Sequence, residues 1–261
     1  MAFVKALLIG KAMQYGSAAA TDELGKAWSS AIFKNAQTSE IYANELGFDG
    51  DEVADTKHHG GVNKAVFANS LENYPAWEAY LGLKNLPLGA MGENLTISGL
   101  DENSVNVGDV HKIGSLVLQV TQPRKPCFKL AKRWGNANLA KEIFATGLTG
   151  WYYKVLENGS CKAGCEVEIL QKSENALSVM QINKLFFNPS ENLDLLPKFR
   201  ALEVLPASWQ DDINRRLNGS YSTAFMEKLL KNGENLPKSL TNKVKIYIIT
   251  FLFTGWGIAK R

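Results

Sequence analysis

The sequence predicts a mixed α+β fold: a β-barrel with peripheral helices over residues 1–170, then a small helical domain over residues 171–261. Two observations carry this expectation. Up to Leu170, short apolar runs recur at close intervals between Gly, Asn and Asp turns, with few helical patterns among them. That rhythm suits a closed or strongly bent barrel. Beyond Gln171–Glu174 the pattern changes to helical runs separated by Pro189, Pro197 and Pro206.

In chain order, Phe3–Ile9 reads as an opening strand closed by Gly10, followed by a Gly/Ser/Ala-rich loop to Asp22. Ser30–Lys34 and Glu40–Ala43 read as short strands divided by a turn over Asn35–Ser39. Gly47–Asp51 is a turn, His58–Gly61 a loop and Ala65–Phe67 a strand. Leu71, Tyr74, Trp77 and Leu81 fall at helical spacing, with Asn69 or Ser70 as cap. Gly92–Ile97, Gly108–Ile113 and Leu116–Val120 return to strands. Lys129–Arg133 and Asn138–Ala145 read as helices, and the alternation of Gly164–Leu170 completes the barrel. Ala176–Leu185, Leu193–Leu205 and Trp209–Leu217 supply a three-helix-like second domain. The apolar run Val244–Ala259 is shorter than the roughly 20 uninterrupted residues that span a bilayer. Lys245, Gly255 and Gly257 interrupt it, so docking on the helical domain or a partner is expected, and no stable membrane span.

With 261 residues, 45% hydrophobic and 21% charged, the composition is that of an ordinary soluble protein. A net charge of +3 says little about partners; local clusters decide them. Met1–Ile9 lacks the features of a signal peptide, and three cysteines do not make a disulfide framework. The expected location is the cytoplasm, with reduced thiols. Basic and aromatic residues do not interleave on one element, so nucleic acid is not an expected partner.

The most informative stretch is Thr121-Gln-Pro-Arg-Lys-Pro-Cys-Phe-Lys-Leu130. Pro123 and Pro126 stiffen it, and Arg124, Lys125 and Lys129 surround Cys127 with positive charge. Cations favour a thiolate, and a thiolate is either a nucleophile or a soft metal ligand. His58-His-Gly-Gly61, flanked by Lys57 and Lys64, suits an anion such as phosphate, because Gly60 and Gly61 open the backbone N–H groups to close approach. A plain capped loop accounts for the same residues. Gly92-Glu93-Asn94 offers an acid and an amide that either read a heterocycle's edge or close a turn. Asp49 and Asp51 read as turn residues. Cys161 and Cys165 lack the spacing of a redox or zinc motif and read as structural.

Together these segments resemble the MOSC family, the domain shared with molybdenum-cofactor sulfurases, in its bacterial YiiM-like branch. The resemblance rests on Gly47–Asp51, His59–Gly61 with Lys64–Val66, Tyr74–Trp77, Gly89–Leu95, Ser104–Asp109, Val120–Lys129, and Thr146-Gly147 before Gly150–Tyr152. It covers roughly Phe3 to Leu170, and the later helices resemble that branch's C-terminal domain. It implies a MOSC-type barrel binding a molybdenum cofactor, with Cys127 as the protein ligand to the metal. From motif position and chemistry, Lys57, Gly60, Gly61, Asn94, Thr121, Gln122, Arg124 and Lys129 are the expected cofactor-binding residues. His59 and Glu93 join Cys127 as candidate catalytic groups, guiding protons, although which of His58 and His59 faces the pocket stays open. The implied activity is reduction of N-hydroxylated compounds such as N-hydroxylaminopurines or amidoximes. Electrons would come from a separate flavoprotein or iron–sulfur reductase, since the chain has no nicotinamide or flavin motif. A homodimer is kept as a possible assembly. No pyridoxal-phosphate domain accompanies the barrel, so the sulfurases' desulfurase activity is not expected. Two other classes stay in view: a non-catalytic cofactor or sulfur carrier, and a metal-free binding barrel.

Overall fold

A computed structural model describes residues 1–174 and 176–222; the side chains of Lys57 and His58 and the apolar run from Val244 lie outside the described residues. The strands are β1 (Phe3–Ile9), β2 (Met13–Tyr15), β3 (Trp28–Ser30), β4 (Asn35–Ala36), β5 (Ile41–Asn44), β6 (Gly47–Phe48), β7 (Val66–Ser70), β8 (Leu95–Ser98), β9 (Val110–Ile113), β10 (Leu116–Pro123), β11 (Trp151–Glu157), β12 (Gly159–Cys161) and β13 (Val167–Gln171). The α-helices are α1 (Thr56–His59), α2 (Tyr74–Leu81), α3 (Phe128–Trp134), α4 (Leu139–Thr146), α5 (Val179–Phe187), α6 (Leu196–Arg200) and α7 (Ala207–Leu217).

One eight-stranded sheet in the order β13-β9-β10-β11-β7-β8-β1-β4 forms the frame. All its neighbours are antiparallel except β7 and β8. The expected closed barrel is corrected here, because the ladder has two ends, β4 and β13. The sheet nevertheless bends until Val4 N–H donates to Cys165 O (2.9 Å) and Val167 N–H to Ala2 O (2.8 Å), through a single bridge at Phe3 and Glu166. Short pairings with small sheets at the edges replace full closure.

Two local expectations also change. Strand character ends at Ser30 rather than Lys34, since the Ile32 carbonyl is taken by the Arg133 guanidinium instead of a ladder partner (2.6 Å). β11 lay outside the predicted strands because Trp151, Tyr152 and Tyr153 are buried on both faces and show no alternation.

One core cluster runs from the sheet (Val4, Leu7, Leu95, Ile97, Leu118, Val120) into Leu185, Phe186, Phe199 and Trp209 of the C-terminal helices. The boundary at residue 170 therefore marks a change from strand to helix within one continuous core. A second cluster packs α2, α3 and α4 around Trp77, Leu130 and Ile143 on the sheet's periphery.

Candidate functional site

β10 carries the frame into the site. Its pairing with β11 steps from Val120–Tyr153 to Gln122–Tyr152, leaving Thr121 as an extra residue. Such a bulge bends the strand and re-aims the residues after it. Beyond Pro123 the chain runs through Arg124, Lys125 and Pro126 to Cys127, the residue that precedes α3. Phe67 on β7 and Tyr152 on β11 are cross-strand partners, their rings 5.2 Å apart. The Arg124 guanidinium lies 4.8 Å above Phe67 and close to the Tyr152 hydroxyl, whose pKa is raised by burial against the pull of that cation.

These side chains form one wall of an open cleft. Cys127, Arg124, Lys129, His59, Phe67 and Tyr152 line this side. Cys127 and Arg124 are each 8% exposed, and Lys129 is half-buried. His59 ends α1 with its Nε2 3.5 Å from Cys127 Sγ. Burial first, then the Arg124 and Lys129 charges, lower its pKa to about 4. A neutral imidazole beside the thiol can accept or return a proton. Among the described residues neither Arg124 nor Lys129 has a carboxylate partner within ion-pair distance.

Lys34, Asp51 and Asn94 form a second wall of linked side chains, and the Glu52–Asp55 stretch joins it to α1, where His59 N–H donates to Asp55 O (2.9 Å). Asp51 is not merely a turn residue. Its carboxylate pairs with the Lys34 ammonium and accepts from Gly10 N–H (2.7 Å) and the Asn94 side-chain amide (2.8 Å). Burial lowers the Lys34 pKa against the opposing effect of Asp51.

The structure thus brings together Cys127, His59, Arg124, Lys129 and Asn94, and moves other expected residues away from the cleft. Glu93 is fully buried and does not line it. Its carboxylate accepts from Tyr74 Oη (2.5 Å), Thr96 Oγ1 (3.0 Å) and Met91 N–H (3.0 Å), so it locks the α2–β8 junction rather than carrying protons to the site. Asn94 reaches the cleft but chiefly ties β7 to β1, accepting from Phe67 N–H and donating to Leu8 O. Thr121 and Gln122 turn away, both donating to the Asn63 carbonyl (2.7 and 3.1 Å). Gly60 and Gly61 do not line the cleft; Gly61, at φ +95°, makes the turn out of α1. Lys57's side chain lies outside the described residues. His111 is core, its Nδ1 2.8 Å from Tyr153 Oη. Cys161 is fully buried with its thiol pushed up to about 12 by burial, as suits a structural residue. Lys34, Phe67 and Tyr152 escape the sequence reading, and only the Gly150–Tyr152 motif string signals any of them.

Known proteins are similar in sequence to most of this chain. The MOSC domain family matches residues 55–168. Escherichia coli YiiM is 32% identical over 193 residues, spanning 73% of this chain and 86% of its own length. The chain belongs to the MOSC family. Another relative, the uncharacterized Bacillus subtilis protein YflK, is 38% identical over 186 residues, 71% of this chain and 84% of that one. A Gibberella moniliformis protein named "Reductase" is 32% identical over 188 residues, but the match spans only 33% of its length. The crystal structure of Geobacillus stearothermophilus YiiM superposes with TM-score 0.67 at 28% identity, covering 83% of this chain and all of that one. That of E. coli YiiM gives TM-score 0.60 at 27% identity, covering 72% and 90%. The MOSC chain is therefore YiiM-like in sequence and in its mixed α/β fold. Among its described residues no helix is long and apolar enough to cross a membrane.

Proposed function

We propose that this MOSC chain is a molybdenum-cofactor-dependent reductase of N-hydroxylated compounds, with Cys127 as the protein ligand to the metal. The observation that carries the reading is the cleft wall on which the Cys127 thiol lies with Arg124 and Lys129, two cations without a carboxylate partner among the described residues. Family membership and the name of the fungal relative support an oxidoreductase role.

The donor set fits the group. A thiolate is a soft ligand compatible with molybdenum and its pterin sulfurs. No three His, Cys, Asp or Glu side chains converge among the described residues, so a metal at Cys127 must bring its remaining ligands with it, as a pterin-bound metal does. Arg124, held by Phe67 and Tyr152, and Lys129 offer charge to the pterin's phosphate. When bound, the cofactor supplies the redox chemistry that converts an N–OH group, with two electrons and two protons, into an N–H group and water. His59, neutral near pH 7, holds or passes a proton at Nε2 beside the metal ligand. The Lys34–Asp51–Asn94 wall fixes the far side of the space in which substrate sits. The electrons come from a separate flavoprotein or iron–sulfur reductase.

The test is reduction of an N-hydroxylaminopurine or an amidoxime by full-length protein from a cofactor-competent host, with a dithionite-type electron source. Turnover in the wild type, abolished in Cys127→Ala with the fold intact by circular dichroism, is expected. Retained turnover in the variant overturns the ligand assignment; persulfide on Cys127 without any turnover indicates a sulfur carrier instead.

A further inference from the structure

The C-terminal helices touch the site through α7. Trp209 and Asp212 lie three residues apart on α7 and so share one face of it. The Trp209 indole donates to Gln122 Oε1 at 2.7 Å, a bond between two buried side chains. Gln122 in turn donates through Nε2 to the carbonyl of Asn63, in the 3-10 turn Val62–Lys64 that follows the His59 loop. Thr121 donates to the same carbonyl. A continuous chain of hydrogen bonds therefore runs from α7 to the turn that follows α1 and His59. Asp212 makes the second link, pairing with Lys125, whose ammonium also sits 4.4 Å from the Trp209 ring and 5.5 Å from that of Phe186.

Lys125 stands between Arg124 and the Pro126-Cys127 pair. Arg124 N–H bonds to Gly150 O (3.2 Å), and the Cys127 carbonyl accepts from Leu130 N–H inside α3 (3.1 Å). Pro126 has no N–H to give. The Lys125 side chain is thus the tether between those two fixed points, and α7 holds its far end.

We propose that α7 is a positioning element of the site, with Trp209 and Asp212 acting through Gln122 and Lys125 to hold the Cys127 loop and the His59 segment in register. The helical region thereby serves the cleft directly, although none of its described residues lines it. The proposal rests on the cleft being the functional site, and its test uses cofactor-free protein, so the absence of molybdenum would sink the cofactor reading and leave this one standing.

Full-length protein made without cofactor is labelled with iodoacetamide under native conditions, and the rates at Cys127, Cys161 and Cys165 are followed by peptide mass spectrometry. Cys127, being buried, reacts through local opening, and the two links set how often that happens. Trp209→Phe keeps an aromatic ring but removes the indole N–H; Asp212→Asn keeps the shape but removes the charge. Each is expected to raise labelling of Cys127 about five-fold, the factor that goes with one lost hydrogen bond. Cys161 stays at its wild-type rate, and Asp212→Glu returns Cys127 to its own. An unchanged Cys127 rate in both variants overturns the proposal. So does a rise in which Cys161 follows in step, because that reports global loosening rather than a released loop.

Discussion

The two walls of the cleft carry similar residues and use them in opposite ways. On one, Lys34 is buried against Asp51, which also takes Gly10 N–H and the Asn94 amide, so charge and hydrogen bonds are matched within the protein. On the other, Arg124 is held in place by an aromatic face and a phenol, neither of which neutralises it, and Lys129 stands beside it. A buried charge left without its counter-charge is costly. On the proposed reading the counter-charge for Arg124 comes from a bound phosphate, whereas a compensated pair like Lys34–Asp51 belongs to the architecture. The comparison separates two kinds of cleft residue that look alike in sequence.

It breaks first, and with the largest effect, at Asp51. Asp51→Ala leaves Lys34 buried without a partner and is expected to lower unfolding stability by about 3–5 kcal/mol in chemical denaturation. Lys34→Met combined with Asp51→Leu recovers part of that loss. Equal destabilisation by Arg124→Ala would erase the distinction between the walls.

The next effect concerns the two neutral histidines. His111 is fully buried, and burial lowers its pKa from 6.5 to about 4. The unfolded chain therefore binds the extra proton first. Its contribution is intact above pH 6.5 and is lost as the pH falls towards 4, an effect on the order of 3 kcal/mol. Denaturation midpoints measured across that window should fall, and His111→Asn should flatten the slope while lowering stability at neutral pH. An identical slope in the variant would assign the acid sensitivity to other groups.

The smallest effect is on the Arg124 wall. Arg124→Ala is expected to weaken cofactor retention about ten-fold, the value of one charge-assisted contact to phosphate. Because Arg124 is the largest charge acting on His59, the same variant moves the His59 titration, followed by NMR, up towards the ordinary histidine range while His111 stays put. Unchanged titration of His59 would show that burial and the neighbouring lysines hold it neutral without Arg124.

What the sequence made legible follows from how local each feature is. The stiff Pro-Arg-Lys-Pro-Cys loop, its cations and the chain order of the motifs are local, and the structure keeps Cys127, Arg124 and Lys129 on one cleft wall. His59 reaches Cys127 only because β7 and β10 both pair with β11, and β11 hides its strand character by burying both faces at its start. Glu93 could not be assigned from its neighbours, since its fate depends on Tyr74 nineteen residues earlier. The orientations of Thr121 and Gln122 are decided by a bulge that no composition rule announces. The helical region was visible as helices, but its shared core with the sheet and its grip on Lys125 arise from contacts across 87 positions of sequence.

The most direct test of the central claim is the molybdenum and pterin content of full-length protein purified from a molybdenum-replete, cofactor-competent host, wild type beside Cys127→Ala. Near-stoichiometric molybdenum with its pterin in the wild type, and its loss from a folded Cys127→Ala, is the predicted result. A wild type without molybdenum, or a variant that keeps it, would contradict the assignment of Cys127 as the metal's protein ligand.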